Sequence, residues 1–150
     1  MTTDSTSTSP DRIDLTVGRH LILPILVAFS IACFVGALVT DIVYWQTVAV
    51  TWETFSIWLI TAGLVLAGFA VIAFVIDFVR GKRGRTLALP YAVGYALAVL
   101  LSLINAFVHS RDGYTAVVPT GLTLSALTII ILLIGAWVGS VYRYRIGASI

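Results

Sequence analysis

The chain has 150 residues, 59% of them hydrophobic and 11% charged, with a mean hydropathy of +1.04 and a formal net charge of +2. A water-soluble domain of this size cannot clothe its surface with so few charged residues, so one membrane domain is expected. So small a net charge does not suggest a nucleic-acid binder. The lone Cys33 excludes an internal disulfide, and no Cys/His grouping has zinc-site spacing.

The chain opens with a Ser/Thr-rich segment containing Asp4, Asp11 and Asp14, and residues 1–17 are expected to be a disordered tail. Its acidic character does not fit the basic n-region of a secretory signal. Four apolar runs follow within a single domain over residues 18–147: Leu21–Thr40, Phe55–Ile76, Thr86–Val108 and Val118–Val141. None contains Asp, Glu, Lys or Arg. Each is at least 20 residues long, and 20 helical residues span about 30 Å, the thickness of a bilayer's hydrocarbon core. The expected fold is all-α: an integral membrane, antiparallel four-helix bundle with loops of about 14, 9 and 9 residues.

Along these helices, small residues mark where backbones approach. The stripes are Ala28, Ala32, Gly36 and Thr40 on the first, and Gly63 and Ala67 on the second, with Gly68 and Ala70 beside them. The third has Gly94, Ala98, Ser102 and Ala106. The fourth has Gly121, Ser125, Thr128, Leu132, Gly135 and Gly139, a heptad-like seam. Pro24 and Pro119 are expected in first turns, and Pro90 marks a start for the third helix.

Basic residues set the orientation. Arg12, Arg19, Arg80, Lys82, Arg83, Arg85, Arg143 and Arg145 fall on one side, and Arg111 alone on the other. The positive-inside rule then puts both termini in the cytoplasm. The opposite-side loops would hold Asp41, Glu53 and Asp112. Tyr44, Trp45, Trp52 and Trp58 would form one interfacial aromatic belt, and Trp137, Tyr142 and Tyr144 the other.

Two polar groupings stand out. Ser102, Asn105 and His109 share a face of the third helix that rises to the periplasmic mouth, where Arg111, Asp112 and Asp41 are also expected. Asp41, Asn105, His109, Arg111 and Asp112 would suit a metal, a proton relay or a partner's charged edge. The simpler reading is interhelical hydrogen bonds from Ser102 and Asn105, His109 and Arg111 at the interface, and a turn at Asp112-Gly113. At the cytoplasmic end, His20 precedes the first helix, and Asp77 ends the second within reach of Arg80. A transport or proton role and a local ion pair both fit Asp77. His20 and His109 belong to opposite ends, about 30 Å apart by helix rise, which rules out a bis-His haem within one chain. A single-His haem, or one shared across a dimer, stays open. Nothing reads as a nucleophile–base pair, a P-loop or a zincin helix, so no catalytic activity is expected of this chain alone.

The stretch NAFVHSRDGYTAVVPTGLTLS, Asn105 to Ser125, followed by GAWVGSVYRYRIG, Gly135 to Gly147, resembles the bacterial domain-of-unknown-function 2231 family of small four-span membrane proteins. Phe34–Tyr44 and the helix end with Asp77 fit the same pattern, and the resemblance runs from Arg19 to Gly147. Family members often carry a His-Pro and a second His before the first helix and a His near the start of the third. Here Arg19-His20-Leu21-Ile22-Leu23-Pro24-Ile25 and Leu89-Pro90-Tyr91 depart from that. The resemblance implies a multi-pass protein of the bacterial inner membrane and names no reaction. It adds weight to His109, Arg111, Asp112, Asp41 and Asp77.

The expected function is a structural or partner-binding subunit in the lipid bilayer, with a membrane or periplasmic protein, or a second copy, as partner. The alternatives are a redox subunit carrying haem or docking a quinone, and a small dimeric transporter. The residues name no metal.

Overall fold

The computed structural model describes residues 11–79, 89–111 and 117–147. Four long helices make up the fold: α1 (Asp11–Thr47), α2 (Val50–Val79), α3 (Leu89–Arg111) and α4 (Leu122–Gly147). A single π-helical turn, Val117–Gly121, precedes α4. No strand occurs among the described residues. Each helix carries a stretch long and apolar enough to cross a bilayer, namely Ile22–Thr47, Val50–Ile76, Tyr91–Arg111 and Val118–Val141. The all-α membrane bundle read from the sequence is the fold observed.

The element boundaries differ in instructive ways. The helix α1 begins at Asp11, so residues 11–17 of the expected tail are helical, and His20 lies inside α1 rather than before it. At its other end α1 runs on to Thr47, and only Val48 and Ala49 separate it from α2. A loop of about 14 residues was expected there. Asp41 and Glu53 are therefore on helices, not in a loop. The chain reverses through Val48 in the left-handed region at φ 53°, its N–H bonded to the Tyr44 carbonyl at 2.8 Å. Glycine normally fills this helix-ending position, because a β-branched side chain there is strained.

Pro24 sits within α1 instead of in its first turn. Pro90 is the second residue of α3, where its missing N–H costs little. Pro119 lies in the π-turn ahead of α4, and Val118 before it is extended (φ −119°, ψ 123°), as the steric bulk of a following proline favours.

The helices form a ring in which α1 packs on α2, α2 on α3, α3 on α4, and α4 closes on α1. The hairpins α1–α2 and α3–α4 are the closely packed pairs, and the seams between hairpins are looser. Glycine explains the difference. A Cβ on Gly94 would stand 3.0 Å from the Cα of Gly135, so α3 and α4 touch backbone to backbone. A Cβ on Gly63 would stand 2.6 Å from Phe34 Cε1, so α2 receives the Phe34 ring of α1.

The buried positions follow steps of three and four on every helix: Val27, Ser30, Phe34, Ala37, Asp41 and Tyr44 on α1; Glu53, Ser56, Ile60, Gly63, Ala67 and Ala70 on α2; Tyr95, Ala98, Ser102, Asn105 and His109 on α3; and, continuing from Gly121 of the π-turn, Ser125, Thr128, Leu132, Gly135 and Gly139 on α4. On α3, Gly94, Ala98 and Ser102 are buried and Ala106 is half-buried, and the seam expected on α4 is the one observed. The α1 stripe is not: Ala28 and Ala32 are exposed, and Gly36 is half-buried against the flexible end of Leu59. A strict step of four drifts by about 40° per repeat around a 3.6-residue helix, whereas alternating three and four stays on one face. On α2, Gly63, Ala67 and Ala70 face inward while Gly68 faces out. Tyr44 is buried rather than interfacial; Trp45, Trp52, Trp58, Trp137 and Tyr144 are exposed.

Gly94→Ala should lower the thermal midpoint in detergent, because neither backbone can give way, with a cost in the overpacking range of about 1–3 kcal/mol. Gly68→Ala, where nothing lies within 4 Å, should leave it unchanged or raise it by up to about 1 kcal/mol through helix propensity. Equal losses from the two changes would refute the backbone contact.

Candidate functional site

Every helix contributes a polar side chain to one cluster near the α1–α2 turn. The centre is Asp41, wholly buried, six residues and so about 9 Å of helix short of the end of α1. Ser56 of α2 donates to Asp41 Oδ1 at 2.5 Å, and Ser125 of α4 donates to Oδ2 at 2.5 Å. His109 of α3 brings Nε2 within 3.2 Å of Oδ1. Asn105, one turn before it, donates from Nδ2 to Ser125 Oγ at 2.8 Å.

The histidine ring is held on both sides. Its Nδ1 lies 3.0 Å from the Asn105 carbonyl oxygen. A carbonyl only accepts, so Nδ1 carries a proton and donates. With Nδ1 committed to that carbonyl, Nε2 is the ring atom that faces Asp41 Oδ1. Gly121 closes over the ring, and a Cβ there would stand 2.7 Å from His109 Cε1. Glycine in the π-turn is what lets the imidazole fit beneath it.

The three bonds to Asp41, and those around them, fall into two classes. Ser56 with Asp41, and Asn105 with Ser125, tie helices within a hairpin. Asp41 with Ser125 and with His109 ties one hairpin to the other. So does the Ser56 Oγ to His109 Nε2 approach at 3.5 Å. A second cross-hairpin bond lies deeper, between Ser30 Oγ and Tyr95 OH at 2.6 Å. Ser30 gives its one proton to the Val27 carbonyl at 2.9 Å, so Tyr95 is the donor. Phe34 and Ala37 separate this pair from Asp41 along α1, and together with Ile60, Ser102, Asn105, Ser125 and Thr128 they line a narrow gap that does not admit a water-sized sphere.

Ser, His and Asp meet here, but not as a hydrolytic relay. Such a relay places the serine and the carboxylate on opposite ring nitrogens. Ser56 and Asp41 both face Nε2, and the Ser56 proton goes to Asp41. No group of three or more His, Cys, Asp or Glu with metal-binding geometry occurs among the described residues.

Of the residues singled out in the sequence, Asp41, Asn105 and His109 come together. Arg111 ends α3 exposed and outside the cluster, and Asp112 lies outside the described residues. His20 and Asp77 lie on α1 and α2 toward the opposite end, and their side chains are outside the described set. Ser56 was missed, and Glu53, buried one turn before it, was taken for a loop residue. The α2 seam was the signal: stepping back from Gly63 by three and four reaches Ile60, Ser56 and Glu53.

A family model described as predicted membrane protein (DUF2231) matches residues 19–150. The chain belongs to this family. No curated protein and no solved structure matches it. All five members of the cluster fall inside the matched stretch, so the family region contains both the spans and the polar centre that joins them.

Asp41→Ala removes the acceptor of two hydroxyls and an imidazole at once, whereas Ser30→Ala removes one interhelical bond. A single such bond in a membrane is worth about 0.6 kcal/mol on average, and breaking a buried ion pair from one side costs about 3–5 kcal/mol. The loss from Asp41→Ala, measured by unfolding in mixed detergent micelles, should be several times that from Ser30→Ala. Comparable losses would show that Asp41 does not organise the end of the bundle.

Proposed function

We propose that this chain is a structural, partner-binding membrane subunit rather than an enzyme. One observation carries the reading: each of the five polar side chains of the cluster is bonded to another of them, and the gap beneath them does not admit a water-sized sphere. What the protein offers to its surroundings is its outer surface, where Phe29, Phe69, Phe107 and Trp137 stand out among exposed apolar side chains. A haem on His109 is disfavoured because both ring nitrogens are already engaged. Photo-crosslinking from positions 29, 69, 107 and 137 in native membranes tests the reading. Protein adducts should cluster on one face. Lipid adducts at all four positions, or a haem absorption band in the purified protein, would overturn it.

The proposed location is a bacterial inner membrane with both termini cytoplasmic, supported by eight basic residues on one side of the spans against one on the other. With Cys33 replaced by Ala, single cysteines at Thr2, Ser110 and Ser149 should label with a membrane-impermeant thiol reagent in intact cells only at position 110. Labelling at 2 or 149 with none at 110 reverses the orientation.

A further inference from the structure

The cluster around Asp41 contains one polar atom without a partner. Asn105 Oδ1 is buried and unbonded, on a residue only 2% exposed. Its sister atom Nδ2 donates to Ser125 Oγ, and Ser125 Oγ donates to Asp41 Oδ2. A serine hydroxyl carries one proton and accepts as readily as it donates, and a carboxamide presents an acceptor and a donor on two arms of one plane. The file Asn105–Ser125–Asp41 therefore runs in either direction. With the carboxylate deprotonated, Nδ2–H points to Oγ and Oγ–H to Oδ2. With a proton on Oδ2, Oδ2–H points to Oγ, and Oγ–H points to Oδ1 of an amide turned over in place.

Two bonds exist in each direction, and neither state sacrifices the contacts that Asp41 Oδ1 makes with Ser56 and His109. Turning the amide over gives the orphan oxygen its partner and puts Nδ2 in the unpartnered place, so each state leaves one arm of the amide unbonded. Reversal moves no helix: a hydroxyl rotates and an amide flips. This matters in a buried site, where a polar group left without its hydrogen bond is costly.

We propose that Asp41 is a binding site for one proton, and that Ser125 and Asn105 form the reversible hydrogen-bond file that lets the buried carboxyl hold it. The ligand is a single proton. The bond that forms is Oδ2–H, and nothing is oxidised or reduced. Ionisable side chains inside a membrane bundle are the elements from which proton relays are made. The charged and titratable groups around the site are His109 on α3 and Glu53 on α2, with Tyr44 on the same helix as Asp41; all three are buried. Ser125 on α4 presents a hydroxyl, and α3 ends beyond the cluster at exposed Arg111. The inference does not depend on the chain having a protein partner.

Infrared difference spectra, acid minus neutral, of the full-length chain in phosphatidylcholine vesicles read the site directly. The carbonyl stretch of a protonated carboxyl should appear together with a change in an Asn amide band. Asp41→Asn should remove that carboxyl component, and Glu53→Gln should keep it. Ser125→Ala should move it to higher frequency, because the oxygen to which Oδ2–H donates is gone. The proposal fails if spectra of wild type and Asp41→Asn coincide, or if the band is lost in Glu53→Gln. It also fails if no carboxyl component arises over the pH range in which helical circular dichroism is constant. Should Asp41→Asn not fold, Ser125→Ala decides: an unmoved band means that Asp41 does not take up the proton through this file.

Discussion

The structure depends on how a buried carboxylate is satisfied. Asp41 lies within a membrane-spanning stretch, where an uncompensated charge is expensive. No residue of its own helix is seen to satisfy it. The donors come from the three other helices: Ser56 from α2, His109 from α3 and Ser125 from α4. Satisfying one side chain therefore fixes the relative placement of all four helices at that end of the bundle. Because the contacts to His109 and Ser125 cross between hairpins, they act where helix packing is loosest.

The same logic inverts the usual arrangement of a soluble domain. Lipid offers no hydrophobic force to drive helices together, since its tails are as apolar as leucine. Large apolar side chains such as Phe29, Phe69, Leu133 and Trp137 accordingly point outward. Within each hairpin, attraction comes from close approach, with Gly94 against Gly135 and Phe34 against Gly63. Between hairpins it comes from hydrogen bonds, with Ser30 and Tyr95 adding a second tie well away from the Asp41 end. Packing and polar bonding divide the structure between them, and the division follows the chain.

The histidine shows how the two interact. Its ring is orientated by a carbonyl four residues back on its own helix and by a carboxylate on another. It fits only because Gly121 leaves space above it. The π-turn that carries Gly121 thus belongs to the polar cluster as much as to the start of α4. A group held from both nitrogens and from above is poorly placed to ligate a metal and well placed to keep a proton in one position.

Four spans, their alternating directions and the inward seam of α4 were legible in the sequence. Each follows from local quantities: the length of an apolar run, the spacing of small residues, and the distance between consecutive runs. The meeting of Asn105 and His109 with Asp41 was legible for the same reason, since antiparallel helices bring those positions to one end. The course of the chain from Asp41 to Ser56 was not. A charged residue ends an apolar run when the chain is read alone, so Asp41 and Glu53 looked like loop residues and Ser56 like the edge of a span. In the folded protein α1 continues for six residues past Asp41, and the reversal takes only Val48 and Ala49. Whether a carboxylate can be buried depends on donors 15, 68 and 84 residues away in the chain, and only tertiary structure brings those donors to it.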